Sequence, residues 1–107
     1  MRVLLDESVP RKLGLEIPGH FVQSVHNRGW AGLKNGELLR TASIEFDVLV
    51  TGERNLEYQQ NPATLPMAAV VLIAVSNRME TLRLLMPELL RVLQSVRVGQ
   101  VIHVGGA

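Results

Sequence analysis

Two short apolar runs in this chain end in acid. Val3-Leu4-Leu5 runs into Asp6-Glu7, and Asp47-Val48-Leu49-Val50-Thr51 runs through Gly52 into Glu53. A further acid, Glu37, stands two residues after Asn35 at the head of a helix-like segment. Acids that converge without a nearby base repel one another, and a hard divalent cation with oxygen ligands relieves the repulsion. Magnesium or manganese in such a place neutralises the carboxylates, positions a water and lowers its pKa. The chemistry that suits the arrangement is hydrolysis of a phosphodiester. Asp6, Glu7 and Glu53 are the candidate metal ligands, and Asp6, Glu53 and Glu37 the candidate catalytic acids. Each also has an ordinary reading, since acids near helix starts offset the helix dipole and turn acids are solvated. Their convergence is what distinguishes the two.

That convergence depends on the elements between them. Residues 2–5 read as a first strand, His20 to Val25 as a second, 48–51 as a third, Ala68 to Ala74 as a fourth and Val101 to Val104 as a fifth. Continuous apolar runs bounded by polar or turn residues mark strands buried on both faces, as in parallel sheets. Ser8 is placed to cap a short helix that has Pro10 in its first turn and ends at Pro18-Gly19. Asn35 is placed to cap a middle helix whose stripe is Leu38, Leu39, Ala42 and Phe46. Residues 52–66 carry Pro62 and Pro66 and predict a short helix and a loop. Asn77 heads a long helix that buries Leu82, Leu85, Leu89, Val92, Leu93 and Val96, that kinks or divides at Pro87, and that Gly99 closes. The order predicts one three-layer α/β/α domain over residues 1–107, with a mainly parallel sheet of about five strands and right-handed crossovers. Ligands in such folds bind beyond the carboxyl ends of the strands. Asp6, Glu37 and Glu53 would all project there.

Composition narrows the function. The 107 residues suffice for one core, and 47% hydrophobic content argues against disorder. The absence of cysteine excludes disulfides, thiolate metal sites and cysteine nucleophiles. A formal charge of +1 gives no bulk attraction for polyanions, so nucleic acid must be held by a local patch. Arg11, Lys12, Arg28, Lys34 and Arg54 flank the expected crevice and can hold phosphates without reading bases. Trp30 is read as an anchor that packs its loop on the sheet. His20, His26 and His103 show no ligand spacing. Met67 to Val75 is the longest apolar run, at nine residues about half a membrane span. No secretory pattern follows Met1, and a soluble cytoplasmic protein is expected. Leu84, Met86 and Leu90 extend the apolar surface of the long helix and suggest a homodimer or partner contact.

Three segments carry a resemblance: Leu4-Leu5-Asp6-Glu7-Ser8-Val9-Pro10, Gly32-Leu33-Lys34-Asn35-Gly36-Glu37-Leu38-Leu39, and Phe46-Asp47-Val48-Leu49-Val50-Thr51-Gly52-Glu53-Arg54-Asn55-Leu56. Together they resemble the compact PIN-like family, in the same order of elements over nearly the whole chain. The resemblance implies a magnesium- or manganese-dependent ribonuclease, the toxin of a toxin–antitoxin pair, with RNA as substrate and an antitoxin protein as partner. Under it, Asp6 matches the acid ending the first strand. Glu53 falls where relatives usually carry Asp, Asn55 where many carry a further Asp, and Asn35 where many have an acid. Ser8 stands where relatives often have Cys, and carries no catalytic role. Asn35, Lys34, Arg54, Asn55 and Arg11 are the candidate substrate-binding residues. The departures at Asn35, Glu53 and Asn55 leave a second reading, a catalytically decayed module that binds a partner protein or RNA without cleavage. A receiver-like phosphoacceptor domain fits less well, because Thr51 stands where its acceptor Asp belongs.

Overall fold

Arg2–Leu5 (β1), Val48–Thr51 (β3) and Ala68–Ile73 (β4) are the most apolar segments of the chain, and they form the middle of the sheet. Phe21–Ser24 (β2) and Val101–Gly105 (β5) are less buried and lie at its edges. The computed structural model describes residues 1–56 and 65–106. The polar cluster Tyr58-Gln59-Gln60-Asn61 and most of the helix and loop predicted over 52–66 lie outside those residues. Among the described residues, five strands form one parallel sheet in the order β2-β1-β3-β4-β5. Burial on both faces is why the central strands read as unbroken apolar runs rather than as alternation.

The pleat divides these runs between two cores. Val3, Leu5, Val48, Val50, Val70, Leu72 and Val104 face one side, with Leu13 of the 3-10 helix Arg11–Glu16, with Ile17 just after it, and with Leu82, Leu89 and Leu93. Leu4, Leu49 and Ala69 face the other, against Leu38, Leu39 and Ala42 of Asn35–Ala42 (α1) and against Phe46. The three-layer α/β/α architecture follows.

Pro87 divides the long helix. Met79–Leu82 (α2) gives way to a 3-10 turn over Arg83–Leu85, and Met86–Leu93 (α3) restarts with the proline in its first turn. There the missing N–H breaks no bond. Gly99 does not close this helix, which ends at Leu93; its φ of 88° makes the turn into β5. The predicted caps also differ. Pro10, Lys34 and Arg78 occupy the cap positions of their helices, none with a side-chain cap bond. Ser8 is occupied elsewhere, as described below.

The crossovers do not all share one hand. The step from β1 to β2 carries its 3-10 helix on one face, and the return step from β2 to β3 carries α1 on the other, so the two share a hand. The step from β4 to β5 runs in the same direction as β2 to β3, yet α2 and α3 pack beside the 3-10 helix. Its hand is therefore opposite to theirs, so the steps cannot all follow the general preference for one hand. The six-residue 3-10 helix is too short to cover a five-stranded face, and α2 and α3 cover the rest. An Arg83–Glu16 ion pair ties the two parts.

Asp47 fastens β1 to the loop before β3. Its Oδ2 accepts the Arg2 backbone N–H at 2.7 Å and Nε at 3.3 Å, and its Oδ1 accepts Nη2 at 3.1 Å. The side-chain bond from Arg2, more than any other contact, lowers the Asp47 carboxyl below its ordinary value of 3.8. A lowered folded-state value means that the carboxylate stabilises the fold fully above about pH 4 and that this is lost as pH falls through the lowered value. With 38% of the Asp47 side chain exposed, solvent screens the pair to about 1 kcal/mol or less. Asp47→Asn is expected to lose that amount in urea melts at pH 7, and the difference should shrink towards zero by about pH 2.

Candidate functional site

The strand order places a topological switch between β1 and β3, because the chain leaves β1 towards β2 and then returns past it to β3. Asp6 follows β1 and Gly52-Glu53 follow β3, so both acids stand on the carboxyl rim at that switch. Asp6 remains in the ladder, its N–H bonded to the Val50 carbonyl at 2.9 Å. Its side chain is buried beside Thr51, which is itself 1% exposed.

A carboxylate held there needs donors, and two hydroxyls supply them. Ser8 Oγ donates to Asp6 Oδ2 at 2.7 Å, and Thr51 Oγ1 donates to the same oxygen at 2.8 Å. Each hydroxyl has one proton, so both protons are committed to Oδ2. The hydroxyls accept in turn. Gly52 N–H donates to Ser8 Oγ at 2.9 Å and Glu53 N–H donates to Thr51 Oγ1 at 3.0 Å. The chain of donors runs from the β3 turn, through two hydroxyls, to one oxygen of Asp6. It fixes the rotamer of Asp6 and leaves Oδ1 with no protein donor among the described residues.

Thr51→Val keeps the shape and removes the hydroxyl. It strands the Glu53 N–H and takes one of the two donors from a buried carboxylate. The expected loss is about 1–3 kcal/mol in urea denaturation, most of it recovered by Thr51→Ser.

The other predicted residues divide. The Glu53 carboxylate accepts the Asn55 N–H at 3.4 Å, folding over its own turn, and Asn55 is exposed. Glu7 is exposed, and its Oε1 accepts the Gly32 N–H at 3.3 Å, which ties the loop before α1 to the rim. That tether brings the start of α1 to the same end of the sheet. Lys34 precedes the helix, Asn35 is its first residue rather than its cap, and Glu37 lies exposed in its first turn. Arg54 Nη2 donates to the Ala74 carbonyl at 2.9 Å, beyond the end of β4. Among the described residues no group of three or more His, Asp or Glu side chains is placed to hold a metal ion. Glu37 therefore does not close a three-acid cluster with Asp6 and Glu53.

Two carboxylates are not too few for magnesium. That ion keeps several waters and is commonly bound through one or two carboxylates plus substrate phosphates. Asp6 Oδ1 and the Glu53 carboxylate, both at this rim, are oxygen donors of the kind that ion takes.

Arg28 does not serve the rim. Its guanidinium pairs with Glu45, bonds Gln23 Oε1 at 3.2 Å and lies 4.8 Å from the Trp30 ring centroid. The bond from Arg28 is the main cause that lowers the Glu45 carboxyl below its ordinary value. Trp30 packs edge-on to Phe46, with centroids 6.0 Å apart, as the loop anchor the sequence suggested. Gly52 has no positive φ and sits close against the Asn77 side chain. A Cβ there would lie 3.1 Å from Asn77 Oδ1, so Asn77 packs on the β3 turn instead of capping its helix.

The open space lies on the β2 side of Asp6. A cleft of about 370 Å³ is lined by Asp6, Glu7, Val9, Pro10, Arg11, Ser24 and His26. Ser8, Thr51 and His26 were the parts missed by sequence reasoning. A hydroxyl two residues after Asp6, and a polar residue closing the apolar run of β3, were the available signals for the first two.

No family model matches the chain, and no curated protein or solved structure does.

Proposed function

We propose that this chain is a magnesium- or manganese-dependent endoribonuclease of the compact PIN-like kind, hydrolysing phosphodiester bonds in single-stranded RNA as the toxin of a toxin–antitoxin pair. The observation that carries the reading is the immobilised Asp6, whose Oδ2 receives two hydroxyl protons while Oδ1 remains available at the switch point. A bound divalent cation would supply a polarised water and stabilise negative charge on the phosphate. The protein's part is positional. Ser8 and Thr51 fix Asp6 so that ligation costs little rotamer entropy, and Glu53 contributes the second carboxylate from the turn that the same hydroxyls hold. Lys34 and Asn35, at the start of α1, and Arg11, Arg54 and Asn55, along the rim, contact the RNA backbone. Glu37 assists at the margin.

The second reading, a module that binds a protein or RNA without cleaving, draws support from Glu53 and Asn55, which both depart from the resembled pattern. Two measurements separate the readings. The nuclease reading expects cleavage of a labelled single-stranded RNA that requires millimolar magnesium or manganese and stops with chelator. It also expects saturable heat when either metal is titrated into the protein. Neither heat nor cleavage would leave the non-catalytic module.

A further inference from the structure

The nuclease reading places the cut at the rim of β1 and β3, with Arg11 among its RNA contacts, and a cleft that includes Arg11 opens on the β2 side of Asp6. The cleft between the ends of β1 and β2 brings together groups from three parts of the chain: Asp6 and Glu7 after β1, Arg11 at the head of the 3-10 helix, and Ser24 and His26 at the end of β2. Two of these groups are unlike the rest. Arg11 and His26 are exposed, and neither side chain has a hydrogen bond or ion pair among the described residues. Arg11 lines the same cleft as two carboxylates and pairs with neither, whereas Arg2, Arg28 and Arg83 each hold a carboxylate. The acids are otherwise engaged, Asp6 through Oδ2 with Ser8 and Thr51, and Glu7 with the Gly32 N–H. Ser24 is turned inward, donating to Asn27 Oδ1 at 2.6 Å. The lining thus brings the unpaired Arg11 and His26, on separate elements, beside the Asp6 and Glu7 carboxylates.

We infer that this cleft is a phosphate subsite, in which Arg11 and His26 hold a phosphodiester group of single-stranded RNA adjacent to the bond cut at Asp6. This rests on the nuclease reading for the location of the cut, though not for the binding itself. Guanidinium groups match phosphate oxygens in a planar two-bond fork, and an imidazole N–H adds a further donor. Val9 and Pro10 supply an apolar wall against which a sugar or base can lie. The strand would enter over β2 and pass Asp6 towards Arg54, across the carboxyl ends of the strands.

The test reads binding apart from cutting. A fluorescent single-stranded RNA is titrated into full-length protein with excess chelator, over a range of salt concentrations. Arg11→Ala is expected to weaken affinity by about tenfold, and His26→Ala by roughly threefold. For Arg11→Ala, the slope of log affinity against log salt should fall by about 0.7, the value for one lost contact to a single strand. Arg91→Ala, which removes an exposed charge on α3 that does not line the cleft, should leave affinity within about twofold. All three positions are exposed, so unchanged melting curves are expected and verify folding. Equal affinities for the Arg11, Arg91 and parent proteins, or no saturable binding by the parent, overturn the subsite. An RNA with a 5′ phosphate that binds while its unphosphorylated counterpart does not would overturn the internal phosphodiester in favour of a terminal phosphate. Metal-dependent cleavage with unaltered Arg11→Ala binding rejects the subsite and keeps the nuclease. Weakened binding with no cleavage in any metal keeps the subsite and rejects the nuclease.

Discussion

Asp6→Asn should lower metal-dependent RNA cleavage by at least about a hundredfold, roughly 3 kcal/mol of transition-state stabilisation, without unfolding the protein. The substitution is nearly isosteric. The amide oxygen can take the place of Oδ2 and accept the protons of Ser8 and Thr51 at the same positions. The amide nitrogen then faces the cleft, where it is a donor and cannot ligate a cation. Charge and metal affinity are lost together while the donor chain from Gly52 and Glu53 survives. Melting within about 1 kcal/mol of the parent is expected. Asp6→Ala is the less informative change, because it leaves two hydroxyls without their acceptor at a buried site and costs about 1–3 kcal/mol in addition. Cleavage by Asp6→Asn at the parental rate would remove Asp6 from the chemistry.

Phe46→Ala should cost about 3–5 kcal/mol, the largest effect of a single truncation considered for this fold. Phe46 is fully buried and touches three partners that define the α1 side of the sheet. Its ring stacks with Phe21 at 6.3 Å between centroids, meets Trp30 edge-on, and has the Arg28 guanidinium 5.5 Å from its centre. Domains of this size are stable by about 5–15 kcal/mol, so the loss lowers the melting temperature by roughly 15 °C or more. Trp30 is the sole tryptophan, and its emission reports the site directly. A red shift before global unfolding is expected in the variant. The same loop continues to Gly32, which Glu7 tethers to the rim, so looser packing at Phe46 should also loosen Lys34 and Asn35. A variant that melts within about 1 kcal/mol of the parent would show that this cluster is decoration on the sheet.

The strands were legible because burial on both faces leaves no polar positions in β1, β3 or β4 after their first residues, apart from Thr51 at the end of β3. Their limits were read to within a residue or two. The position of Asp6 at the rim followed from the same runs. The contacts that hold Asp6 were not legible, since Ser8 and Thr51 are 43 residues apart and share an acceptor only once β1 and β3 pair. Ser8 resembled a helix cap locally, and the buried carboxylate took its proton instead. Arg28 had the type and place of a phosphate ligand, but the nearby Glu45 and Trp30 hold it against α1's side of the sheet. The opposite hand of the β4–β5 crossover left no local trace, because helix propensity and apolar spacing in 79–93 are the same on either face.

The claim on which the rest depends is that Asp6 and Glu53 share one divalent ion. A crystal soaked in manganese, with its anomalous signal, tests it directly. The account predicts one peak at the end of β1 and β3, about 2.1 Å from Asp6 Oδ1, with a Glu53 oxygen in the same shell and waters completing it. Binding at Asp6 with Glu53 still folded over Asn55, or no peak at this rim at millimolar manganese, would contradict it.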